Sequence, residues 1–160
     1  MTSIPARIRA QIDDLLAVAP VDIDQVATRL GLAIYERSLP EGVSGMIERS
    51  PTYETESGFV IFVDDGEAYV RQRFTAAHEI GHYVLHRDRI GEGVTENYLL
   101  RSDRLSNWVE VQANRFAADL LMPLPLIEAL TKQGYTSVPE LAHKLQVSEI
   151  AMGIRLGHPT

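Results

Sequence analysis

With 160 residues, 45% of them hydrophobic and 23% charged, the chain is long enough to close its own core and too apolar to stay disordered. It contains no cysteine, which removes disulfide scaffolds, thiolate metal sites and cysteine nucleophiles together and fits a reducing, cytoplasmic setting. The net charge of −7 argues against a uniformly basic nucleic-acid surface, and neither a membrane-spanning run nor a signal-peptide pattern is present.

The first third predicts two helices and then strands. Ile4, Ile8, Ile12, Leu15 and Leu16 recur at helical spacing, with a stop at Pro20. Asp22 caps a second helix through Ile23, Val26, Ala27 and Leu30, which Gly31 ends. Residues 32–36, 42–47 and 58–64 are short β-favouring runs separated by turn-forming residues, and they predict a small antiparallel sheet. A substrate strand would add to the edge of that sheet near residues 58–63. The helical period then returns. It predicts a helix over about 70–86, a loop over 87–105 and a second long helix over about 106–122, broken by Pro123 and Pro125. Shorter helices finish the chain, so the fold class is α+β.

Within the first long helix, His78-Glu79-Ile80-Gly81-His82 matches H-E-x-x-H. Four residues make about one helical turn, so the two imidazoles share a face and can converge on one metal ion. Glu79 lies about 100° further round, beside such an ion rather than on it, where its carboxylate can take a proton from water. Phe74, Ala77, Gly81, Val84 and Leu85 form a separate apolar stripe, so the histidines flank the buried face, where a cleft can form. The bland alternative is a pair of surface histidines beside a solvated glutamate.

A catalytic zinc takes three protein ligands and keeps a position for water. His86 continues the four-residue series, but about 12 Å of helix separates it from His78, which suits collinear ligands rather than a tetrahedral corner. It reads better as a helix C-terminal residue, with a supporting or substrate-facing role left open. Asp88 stands where the proteases of pattern H-E-x-x-H-x-x-G-x-x-H place their last ligand, but Leu85 replaces the glycine that turns their chain. On the second long helix, Glu110 flanks a core stripe of Val109, Ala113, Phe116 and Leu120, in line with Asn114, Ala117 and Leu121. The same spacing puts Gln112, Arg115 and Asp119 on the opposite side. On spacing alone, Glu110 reads equally well as an interfacial acid in an ion pair. Glu92, Glu96 and Asp103 are loop acids, and Tyr83, His86 and Tyr98 are unranked candidates to support an oxyanion. Ser44-Gly45 could line the cleft or form a bulge, Arg71 and Arg73 pair by default with local acids, and Trp108 reads as a packing anchor.

The run Arg71-Gln72-Arg73-Phe74-Thr75-Ala76-Ala77-His78-Glu79-Ile80-Gly81-His82-Tyr83-Val84-Leu85-His86 resembles the ImmA/IrrE metallo-endopeptidases. The likeness resumes at Glu110-Val111-Gln112-Ala113-Asn114-Arg115-Phe116-Ala117-Ala118-Asp119-Leu120-Leu121-Met122-Pro123 and extends more weakly over about residues 20–157. It implies a zincin-like core in which a small antiparallel sheet packs against the H-E-x-x-H helix. One metallopeptidase domain would span 1–160, with about 20–122 as catalytic core and 123–160 as a C-terminal helical tail. It also implies His78, His82 and Glu110 as metal ligands and Glu79 as general base. His86, Tyr83 and Asn114 remain supporting or substrate-facing candidates.

The cofactor expected is one divalent ion, zinc first, with manganese or iron compatible with two histidines and a glutamate. The reaction implied is hydrolysis of a peptide bond in a protein partner, a separate helix-turn-helix repressor. The competing reading is a metal-containing regulatory or toxin-like module that sequesters such a repressor without cutting it. Near the family's minimal length, control by a fused module is not expected. A third reading takes residues 138–150 as a helix-turn-helix that contacts DNA. Residues 136–160 offer Lys144 and Arg155 against Glu140 and Glu149, a balance of zero that argues for core-packing helices instead.

Overall fold

The computed structural model describes residues 2–90, 93–95 and 104–157. Helix α1 (Ala6–Ile12) buries Ile8 and Ile12, then stops short of the predicted bound. Asp13 and Asp14 follow at its negative dipole end, where acids are disfavoured, and Leu15–Ala17 form only a 3-10 turn. Asp14 pairs instead with Arg29, whose guanidinium holds the Asp14 carboxyl below its ordinary range. Helix α2 (Ile23–Arg29) starts where expected, with Asp22 accepting from the Gln25 amide at 3.0 Å.

Strands β1 (Ile34–Arg37), β2 (Gly45–Arg49), β3 (Phe59–Asp64) and β4 (Gly93–Thr95) form one sheet in the order β1-β3-β2-β4. It is mixed, not antiparallel as expected, because β1 pairs with β3 in parallel while β2 runs antiparallel to both β3 and β4. The short β1–β2 connection does reverse the chain, but β3 inserts between the two strands. Residues Phe59 to Val63 are buried throughout, the pattern of a strand covered on both faces. A central β3 has no free edge, so the expected strand addition at 58–63 is excluded; among the described residues the edges are β1 and β4. Strand β4 lies inside the predicted 87–105 loop. Only its pairing with β2 makes these three residues a strand.

Helix α3 (Tyr69–His86) lies across β2 and β3, and α4 (Arg104–Leu121) packs along it as the most extensive helix pair. Gly81 permits the close approach. A Cβ there would lie 3.1 Å from Phe116 Cδ1 and 3.3 Å from Ala113 Cα. Pro123 ends α4, and α5 (Leu124–Lys132), α6 (Val138–Leu145) and α7 (Glu149–Arg155) follow. Leu141, Ala142, Leu145, Val147 and Met152 join the core, so the tail packs as helices of the same body.

A buried arginine and a half-buried one tie distant segments together. Among the described residues Arg73 has no acid partner. It donates to the carbonyls of Val21 (3.0 Å), Leu145 (3.3 Å) and Gln146 (3.1 Å), joining α3 to the start of α2 and the end of α6. Arg155 meets Asp119 at 2.8 Å, and Asp119 also accepts from the Ser3 amide at 2.7 Å. Asp119 is therefore buried at a junction of the N-terminal segment, α4 and α7, not turned to the outer side as its spacing suggested. Trp108, read as a packing anchor, is 55% exposed. Among the described residues no helix is long and apolar enough to cross a membrane.

Candidate metal centre

His78 and His82 sit one turn apart on α3, with their rings edge to face at 4.7 Å. Across the helix interface, α4 brings Glu110 between them. His78 Nε2 lies 3.0 Å from Glu110 Oε2 and His82 Nε2 lies 3.1 Å from Glu110 Oε1. One donor atom from each residue falls within 4.8 Å of the other two, and all three residues are buried. Zinc bonds of about 2.0–2.1 Å make a tetrahedral edge of about 3.3 Å, so the imidazole–carboxylate spacings are within a few tenths of an ångström of a shared ion. The donor set fits a divalent metal: two imidazole nitrogens turned to one carboxylate, with their other ring nitrogens engaged elsewhere.

Those other nitrogens reach polar partners. His78 Nδ1 is 2.8 Å from Asn114 Oδ1, one turn along α4 from Glu110. His82 Nδ1 is 3.1 Å from His86 Nδ1, and His86 Nε2 is 2.8 Å from Gln112 Oε1. An imidazole that binds a metal through Nε2 must donate from Nδ1, and these contacts set ring orientation as well as tautomer. His86 thus stands behind His82 and not beside the convergent Nε2 atoms.

Glu79 is fully buried and held against the sheet. Gly45 lets β2 pass close to this part of α3. A Cβ at position 45 would collide with Thr75 Cγ2 and lie 3.7 Å from Glu79 Cγ. Gly45 pairs in regular register with Val63, so it forms no bulge, and its role is a close approach of β2 to α3 that neither sequence reading named. Ser44 itself accepts a long 3.5 Å contact from Arg71, which also pairs with Glu67 at 3.3 Å.

Tyr83 is not part of this cluster. It packs in the core on Phe59, with ring centroids 5.4 Å apart, and carries the Arg87 guanidinium 4.1 Å from its ring. Asp88 is exposed on a surface hollow whose lining includes none of the three histidines. Glu92, Glu96, Tyr98 and Asp103 lie outside the described residues. Gln112 is the polar residue that spacing missed. Two positions from Glu110 is about 200° of helix, which reads as the far side until His86 is seen reaching out to meet it.

Residues 27–157 match the family described as the IrrE N-terminal-like domain, peptidase M78. The radiation response metalloprotease IrrE of Deinococcus deserti is 35% identical over 147 residues, covering 83% of this chain and 51% of that protein. The protein of the same name from Deinococcus radiodurans is 34% identical over 148 residues, covering 84% of this chain and 44% of that protein. The chain thus spans about half the length of these relatives. A Mycobacterium tuberculosis transcriptional regulator of known structure shares the fold, with a TM-score of 0.61 at 15% identity over 94% of this chain and 45% of that chain. The match over residues 27–157, which contains both long helices and the convergent histidines and glutamate, identifies the chain as a member of the IrrE N-terminal-like peptidase family.

Proposed function

We propose that the protein is a metal-dependent endopeptidase that hydrolyses a peptide bond in another protein, with His78, His82 and Glu110 as metal ligands and Glu79 as general base. The observation that carries the reading is the convergence of two imidazole Nε2 atoms and one carboxylate beside a buried glutamate. When bound, a divalent ion supplies Lewis acidity toward the scissile carbonyl and lowers the pKa of the attacking water. Glu79 takes the proton from that water and delivers it to the leaving amide nitrogen. Glycine at position 45 keeps the space beside Glu79 Cγ free of a side chain from β2. Asn114 and His86 orient the two ligand rings.

Zinc is the ion we assign, by analogy with H-E-x-x-H proteases, though the same donors accept manganese or iron. The substrate we propose is a separate helix-turn-helix repressor, supported by the resemblance of residues 71–86 and 110–123 to the ImmA/IrrE peptidases. Absence of cysteine supports action in a reducing cytoplasm.

The test is incubation of zinc-loaded protein with the repressor encoded beside it, followed by mass spectrometry. Native protein should yield two fragments. Glu79→Gln should bind zinc and partner normally while cleavage falls by at least ~10²–10⁴-fold. An undiminished rate in Glu79→Gln would remove Glu79 from the chemistry. An intact partner with altered DNA occupancy would favour sequestration.

A further inference from the structure

We infer that the surface hollow bearing Asp88 docks an acidic peptide segment of a protein partner through Arg7, Arg49 and Arg87. The partner's identity as the cleaved substrate rests on the endopeptidase reading, whereas the docking does not. The hollow measures about 640 Å³ and is lined from α1, the end of β2 and the end of α3, with Asp88 as the one acid beside the three arginines. Three cations against one anion make a local charge of +2 on a chain whose net charge is −7. Sequence order hides this patch, because its arginines come from three separate elements.

Elsewhere in the molecule arginines find carboxylates, as Arg29 does at Asp14 and Arg155 at Asp119. Among the described residues Arg7, Arg49 and Arg87 have no acid within ion-pair distance. Two of them lie on aromatic rings instead. The Arg49 guanidinium carbon is 4.7 Å from the centre of the Phe59 ring, and that of Arg87 is 4.1 Å from the centre of the Tyr83 ring. The two rings themselves meet edge on, 5.4 Å apart. A guanidinium stacked on a ring is held through its face and keeps its in-plane N–H fork for an acceptor, which a carboxylate matches bidentately. Two like charges on adjoining rings repel, and an anion set between them turns that repulsion into attraction.

Carboxylates on a polypeptide suit this face best. The three arginines and Asp88 are all exposed, so the hollow opens to a macromolecule and does not enclose a small ligand. A nucleic acid, charged at every phosphate, would meet the excess acidity of the rest of the chain. Ile8 and Val84, both buried, also line the hollow and offer an apolar base for an aliphatic side chain between the acids. Arg87 follows His82 by about 7.5 Å of helix axis, so one partner chain can reach both the hollow and the candidate metal centre.

Fluorescence anisotropy on the full chain tests this with a fluorescein-labelled peptide, Glu-Glu-Leu-Glu-Glu-Leu, and its counterpart with glutamine for every glutamate. The acidic peptide should bind and the glutamine peptide should not, with affinity falling as sodium chloride rises from about 50 to about 300 mM. Arg49→Gln and Arg87→Gln should each weaken binding by about threefold to tenfold and Arg87→Lys by less. Arg9→Gln, outside the hollow, should change nothing. The substituted arginines are exposed, so melting temperatures should stay within a few degrees of native. Failure of the acidic peptide to bind, equal binding of both peptides, or affinity indifferent to Arg49 and Arg87 would overturn the inference. Displacement of the peptide by equimolar inorganic phosphate or by a DNA duplex would give the hollow to a small anion or a nucleic acid instead. Self-association in ultracentrifugation that the double variant loses would give it to a second copy. Glu79→Gln should bind the peptide as the native protein does. Peptide binding without cleavage of any partner would remove the endopeptidase reading and keep the docking site, and cleavage without peptide binding would do the reverse.

Discussion

A single methyl group at position 45 would land on Thr75 Cγ2 and press toward Glu79 Cγ. Thr75 is buried and β-branched on a helix, so it has few rotamers to retreat into. Gly45→Ala should therefore destabilise the fold by about 1–3 kcal/mol, the usual cost of overpacking. It should also lower the proposed cleavage rate more than the loss of folded protein explains, because the displaced Thr75 lies one turn from Glu79, the proposed general base, which the added methyl also touches. Urea midpoints and rates per folded molecule, measured together, check both parts. His78, Glu79 and His82 were legible from spacing because one helix holds all three, and a helix of known pitch fixes which side chains share a face. Gln112 was not. Its partner is a ring on another helix, and intrahelical angles carry no information about what reaches across.

Between elements, Gly81 sets how near α3 and α4 come, and so how near Glu110 comes to the two histidines. Alanine gains about 1 kcal/mol of helix propensity over glycine. Its Cβ, at 3.1 Å from Phe116 Cδ1 and 3.3 Å from the Ala113 backbone, must push α4 outward. The two effects oppose each other in stability but not in metal binding. Gly81→Ala should leave the metal-free melting temperature within a few degrees of native while zinc affinity drops by roughly tenfold, measured by chelator competition.

Helix α6 offers a pH-dependent element. Ser137 Oγ donates to Glu140 Oε1 at 2.8 Å and the Ser137 amide donates to it at 3.2 Å, while the Glu140 amide donates back to Ser137 Oγ at 3.2 Å. The hydrogen bonds from Ser137 hold the Glu140 carboxyl below the ordinary glutamate range. A lowered native pKa means that the unfolded state binds protons first. The contribution is thus complete above the ordinary glutamate pKa and is lost as pH falls through the native one. The urea midpoint of native protein should exceed that of Glu140→Gln at neutral pH, and the gap should close in acid. A gap independent of pH would mean the charge is irrelevant to the cap.

For the molecule as a whole, the three proposed ligands come from two helices that are 28 residues apart in sequence between His82 and Glu110. An ion there binds the folded state alone. At a free zinc concentration of 100 times Kd it should add about 2.7 kcal/mol of stability. For a chain of this size, chelation should then lower the melting temperature by roughly 5–10 °C. Calorimetry with and without chelator measures this, and Glu110→Ala should abolish the difference. The same folded body is tied together by Arg73 on three carbonyls and by the Ser3–Asp119–Arg155 junction.

Local periodicity by itself determined the α+β class, the two long helices, the H-E-x-x-H face and the start of α2, since each depends on residues within a few positions of one another. Glu110 was left by spacing as either ligand or interfacial acid, and only the resemblance to a family favoured the former. The tertiary structure decided the insertion of β3 between β1 and β2, the strand character of β4, the burial of Arg73 and Asp119, and the path from His82 through His86 to Gln112. Each of these is a contact between segments far apart in the chain. The energy that selects such contacts comes from packing and hydrogen bonds across elements, which no local pattern of residues encodes.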